Sequence, residues 1–221
     1  MTILFLSLAT SGLPKASLSA DSRQQPWIVR MAACLATEDG KPIEQFSCGI
    51  RAGDRKIDSD ATARHGITSA YAARSGVDES FALSMVCGLK MKAKADGSTR
   101  PDKPGLASNA RYVVAWNVEF VRTIIGSTFQ RLGEPSSAWI RPGLSFISLQ
   151  ELCAPWLRLA PAKGDDSGAY RKPTRDEAAA FFLGAAPRQF PHTVDANLEI
   201  ERALFPALRA RGALEMEGQA A

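Results

Sequence analysis

The residues able to do polar chemistry in this sequence are few. His65 and His192 are the only histidines, and Cys34, Cys48, Cys87 and Cys153 form no CxxC pair and stand at no zinc spacing from a histidine. Most of the cysteines lie in or beside apolar runs such as Ala32-Ala33-Cys34-Leu35, which suits reduced core thiols. Ser11-Gly12, Ser75-Gly76 and Ser167-Gly168 lack the flanking glycine of a nucleophile elbow, and there is no glycine-rich phosphate loop. The remaining polar candidates are carboxylates, which the sequence carries in number and which no spacing of their own singles out. Hard divalent cations need carboxylate oxygens, and two-metal sites clamp the attacking and leaving oxygens between them.

The first apolar segment, Ile3-Leu4-Phe5-Leu6-Ser7-Leu8-Ala9-Thr10-Ser11-Gly12-Leu13-Pro14, has the outline of a metal-binding strand without its acids. It resembles the first motif of the DEDD family of 3′–5′ exonucleases, proofreading-type nucleases with an RNase H-like fold. That motif runs from a hydrophobic stretch into Asp, x, Glu, Thr, small, Gly, Leu, Pro. Here Ser7 stands for the Asp and Ala9 for the Glu, while Thr10 matches. The second motif, Ala-His-Asn-x-x-Phe-Asp, resembles Ala115–Val121: Asn117 and Phe120 are kept, Trp116 replaces the His and Val121 the Asp. The third resembles Phe190–Ala196. Asp195 fits its acid; Phe190 holds the position of its histidine, and His192 lies closer to Asp195 than that histidine would. The Gly168–Ala178 stretch and His65-Gly66-Ile67-Thr68 also resemble family segments.

The resemblance covers Ile3 to about Ala210 and implies an α/β chain: an RNase H-like mixed five-stranded sheet flanked by helices, as one exonuclease-like domain over residues 1–211. It also implies that the family's four acids are reduced to Asp195, and one carboxylate cannot fix two divalent ions. No resident cofactor is therefore expected; Mg²⁺ or Mn²⁺ belongs only to the alternative of an active exonuclease rebuilt around Asp195, His192 and Asp58. The leading expectation is a catalytically inactive exonuclease-like protein that binds nucleic acid, as a single strand or a 3′ end, or a protein partner. A purely structural subunit of a replication, phage or defence complex is a further alternative. Candidate nucleic-acid contacts are Thr10, His65, Trp116, Asn117, Phe120 and Arg122, with Lys90, Lys92 and Lys94. Arg64, Arg171 and Lys172 would add charge. Trp116 either fills the old pocket or stacks on a base; His65 with its glycine reads as a structural turn or a substrate-edge contact.

The elements that must position these residues follow from periodicity. Ile3–Leu8, nearly all apolar, suits a strand buried on both faces. Trp27–Leu35 and Gln45–Ile50 read as two more strands around the turn Glu38-Asp39-Gly40. Helices are expected over Ser69–Ser75, Asp78–Lys90, Asn117–Leu132, Leu149–Leu157, Thr174–Leu183 and Asp195–Arg211, and strands over Arg111–Ala115 and Leu144–Ser148. Thr174 with Glu177 is a capping-box pair. Pro206 should kink or end the last helix. Residues 90–105 read as an exposed basic loop, and 212–221 as a flexible tail.

Hydrophobic residues make up 45% of the 221 and charged residues 23%, enough for a substantial core. A net charge of +4 permits contact with a polyanion without requiring it. No apolar run approaches the roughly 18–20 residues of a membrane span, and the short N-terminal run lacks the basic lead of a signal peptide. A cytoplasmic protein without membrane contact is expected.

Overall fold

The computed structural model describes residues 1–88, 105–161, 170–186, 188 and 192–214. Five strands form one sheet in the order β3-β2-β1-β4-β5. They are β1 (Thr2–Thr10), β2 (Ile28–Thr37), β3 (Pro42–Gly49), β4 (Tyr112–Ala115) and β5 (Ser145–Ser148). β1 pairs antiparallel with β2 and parallel with β4, so the sheet is mixed, as expected from the sequence.

Because β1 is central, both its faces are covered, and side chains alternate between two cores. Leu4 and Leu6 enter one core with Met31, Val113 and Ile125; Ile3, Phe5 and Ala9 enter the other with Val114, Leu198 and Phe205. The first core is closed by α1 (Ser59–His65), α2 (Ser69–Arg74), α3 (Glu79–Cys87) and α4 (Val118–Arg131). The second is closed by α5 (Leu149–Leu157), α6 (Arg175–Leu183) and α7 (Val194–Ala210). Ser7 shares the α7-facing side of β1 with Phe5 and Ala9. The β1–β2 register slips between Ala9 and Thr10, a bulge at the end that carries Ser7 and Ala9.

Several expectations change. The segment carrying Asp60, to which periodicity assigns no element, is helix α1, with Asp58 as its N-cap. The last helix runs through Pro206 to Ala210. The Arg202 carbonyl, which proline cannot serve, lies against Gly40, where a Cβ would come within 3.1 Å of it. Burial of Leu204, Phe205 and Leu208 holds the helix together across that break. Of the expected tail, Ala213 and Leu214 pack on the second core, and residues 215–221 lie outside the described residues. So do residues 89–104 of the basic loop, including Lys90, Lys92 and Lys94. Its flanks nearly touch: a Cβ on Gly105 would lie 2.2 Å from the Gly88 nitrogen. Thr174 and Glu177 form the expected capping box.

Candidate functional site

The end of β1 and α7 bring Ser7, Ala9 and Asp195 to one side of the sheet, and the acids there are already matched by arginines. Asp195, in the first turn of α7, accepts from Arg30 Nε at 3.0 Å and lies 2.9 Å from its Nη2. Arg30 is the register partner of Ala9. A guanidinium of β2 therefore stands beside the position where the resemblance places a glutamate and satisfies the one retained aspartate.

A second carboxylate sits deeper. Glu201, on the buried face of α7, has no exposed surface, and its Oε1 accepts from Arg175 Nε at 2.7 Å. Burial raises its pKa above the ordinary carboxylate value; the Arg175 charge and hydrogen bond, the Ser7 hydroxyl and the Trp116 backbone pull the other way. Ser7 is 1% exposed, and neither its Oγ nor Glu201 Oε2 reaches a partner in full hydrogen-bond geometry. The Arg175 guanidinium also lies 5.7 Å from the Trp116 ring centroid. Arg30, Arg175 and Glu201 were not singled out in the sequence. Their signal was a charge inside an apolar periodic face: Arg30 interrupts Trp27–Leu35, and Glu201 falls between Leu198 and Leu204.

The other predicted residues are structural in this arrangement. Trp116 is buried at 6% exposure, so its ring fills the second core and presents no open face to a base. Val121 is buried in the first core, away from Ser7 and Ala9. Asn117 caps α4 by accepting from Phe120 N at 3.0 Å, and Phe120 packs half-buried on the first core. Thr10 donates to the Gly12 carbonyl at 2.7 Å. A Cβ at Gly12 would lie 2.3 Å from Asp58 Oδ2, so a larger residue there would displace that carboxylate. Arg122 is paired with Glu119 and stacked 5.0 Å from the Phe146 centroid. Ion pairs also occupy Arg171 with Glu177 and Lys172 with Glu151.

His65 accepts from Ile67 N on Nδ1 at 3.1 Å, which leaves the proton on Nε2, facing the Thr10 carbonyl at 3.3 Å. Burial depresses its pKa, so it is a neutral clamp between the end of β1 and the α1–α2 corner. His192 does not turn to Asp195: its Nε2 lies 3.4 Å from Asp176, and its backbone N–H donates to the Arg64 carbonyl. Phe190 lies outside the described residues. The cysteines are free, and burial raises the Cys48 thiol to about 11 and Cys153 to about 12, which leaves them inert.

The chain has the exonuclease I fold. It superposes on the zinc-bound form of Escherichia coli exonuclease I in complex with single-stranded DNA at a TM-score of 0.64 and 17% identity, over 95% of this chain and 40% of that one. Exonuclease I from Methylocaldum szegediense gives 0.63 and 17%, over 95% and 40%. An oligonucleotide complex of the Escherichia coli enzyme gives 0.63 and 16%, over 95% and 41%. This chain thus spans about two fifths of the length of the exonucleases it matches. No family model and no curated protein matches the sequence.

The donor set does not fit the pair of divalent ions that the fold family implies. Ser7, Ala9 and Val121 offer no carboxylate, and Asp195 and Glu201 are each bound to an arginine. Among the described residues no three His, Cys, Asp or Glu side chains converge. A cation that binds only the folded state stabilises it by RT ln(1 + [L]/Kd) and so raises the melting temperature. With these positions filled by guanidinium, millimolar Mg²⁺, Mn²⁺ or EDTA should leave Tm unchanged by differential scanning calorimetry. A metal-dependent rise would show a bound ion.

Proposed function

We propose that this protein is an exonuclease-fold binding protein whose hydrolytic centre has been converted into a structural salt-bridge network. The observation that carries this reading is the pairing of Asp195 with Arg30 and of Glu201 with Arg175 along one face of a strand end that carries no acid of its own. Protein-borne cations take the electrostatic place of metal ions. They neutralise the carboxylates but cannot polarise a water into a nucleophile. A rebuilt single-metal site gains nothing from His192, which is directed to Asp176.

The ligand we assign is single-stranded nucleic acid, and the setting a cytoplasmic one. Two of the matched structures are complexes of one enzyme, Escherichia coli exonuclease I, with single-stranded DNA or an oligonucleotide, the net charge is +4, and Arg64 is exposed with no ion pair among the described residues. No helix among the described residues is long and apolar enough to cross a membrane. Gel shifts of labelled single-stranded DNA and RNA over a salt series test the assignment. Phosphate contacts should make log K fall linearly with log salt, by about 0.7 per contact on a single strand. No shift, together with a partner that co-purifies after nuclease treatment, would instead establish protein binding.

A further inference from the structure

A cleft of about 380 Å³ opens between the ends of β2 and β3, the α1–α2 corner and the start of α7. It meets the vestigial centre only along Arg30, His65 and Asp195; Ser7, Ala9, Thr10, Trp116, Asn117 and Phe120 do not line it. Its apolar walls include Val29, Ile50, Ile67 and Val194, and Tyr71 lines it with a ring left 57% exposed. The volume is at the lower end of the roughly 300–1,000 Å³ of small-molecule sites. It has room for one flat heterocycle and its sugar.

The exposed charge beside the cleft is basic on α2 and mixed on α1, where Asp60 lies one turn before Arg64. Arg30 is matched by Asp195, but Arg64 and Arg74, next in sequence to the lining residues His65 and Ser75, are exposed and without an ion pair among the described residues. A peptide seeking a strand edge finds none here: residues 76–78 already pair with the end of β3, through Val77 N to the Gly49 carbonyl and Arg51 N to the Val77 carbonyl, each at 2.9 Å. An apolar slot with an exposed aromatic and exposed guanidinium groups outside ion pairs is the chemistry that holds an unstacked base and its flanking phosphates.

We propose that this cleft takes one base of a bound single strand, with Tyr71 stacked on it and Arg64 and Arg74 on the adjoining phosphates. This rests on the nucleic-acid reading above. The test is fluorescence anisotropy with a labelled oligothymidine and with an abasic strand of the same length. Tyr71→Ala should weaken oligothymidine binding about tenfold, leave abasic binding unchanged, and be rescued by Tyr71→Phe. Arg64→Gln with Arg74→Gln should lower the salt slope by about 1.4 on either strand. Tyr71 is largely exposed, so circular dichroism of the variants should match the parent. Unchanged oligothymidine affinity in Tyr71→Ala would overturn the cleft assignment while leaving strand binding intact. Failure of the parent protein to bind either strand would overturn both.

Discussion

Glu201→Leu loses about 3–5 kcal/mol of stability in urea denaturation, and adding Arg175→Met restores most of it. Glu201 is wholly buried and Arg175 is 27% exposed, so removing the acid leaves a poorly hydrated guanidinium without an acceptor. Removing both replaces the pair with apolar volume beside Trp116, where a methionine packs on the ring. The pH dependence has a definite sign. Burial raises the Glu201 pKa in the folded state above its ordinary value of 4.5, so the native protein holds a proton that the unfolded chain gives up. The Glu201 contribution is fully present below 4.5 and is lost as pH rises through the raised folded value. Glu201→Gln should flatten the stability profile over that window; an unchanged profile would remove Glu201 as its source.

Ser7→Asp, which places an acid where the resembled motif has one, lowers stability by about 3 kcal/mol at neutral pH rather than building a metal ligand. Ser7 is buried against Glu201, and a second carboxylate there loses its hydration and has only the Arg175 guanidinium to share with Glu201. The loss should shrink in acid, where the new group protonates. Ala9→Glu should be milder, because the position is paired in register with Arg30. The two former acid positions therefore respond differently although they share one strand face. Urea denaturation of both variants measures the contrast; equal losses would contradict the assignment of Arg30 and Glu201 to the two positions.

The parts readable in the sequence were those governed by local periodicity. The Ile3–Leu8 run gave the central strand because a strand covered on both faces has no polar side, and Thr174 with Glu177 marked the start of α6. Asn117 was recognised as a motif residue, yet its observed work is to cap α4. The site was less readable because its chemistry depends on pairings across distant chain segments. Nothing near Asp195 announces Arg30, and nothing near Glu201 announces Arg175. His192, close to Asp195 in sequence, belongs instead to Asp176, because a contact across the fold outweighs proximity along the chain. Pro206 was read as a break from its missing N–H alone. The buried side chains on either side of it override that local cost.

The central claim is that arginines have replaced the metal chemistry. The most direct test is a nuclease assay on end-labelled single- and double-stranded DNA and RNA with Mg²⁺ or Mn²⁺, run on the parent protein and on Asp195→Ala. The account predicts intact substrate in every lane, with retarded uncut single strand at low salt. Cleavage that EDTA stops and Asp195→Ala abolishes would contradict it, and would place a working metal at the carboxylate assigned here to Arg30.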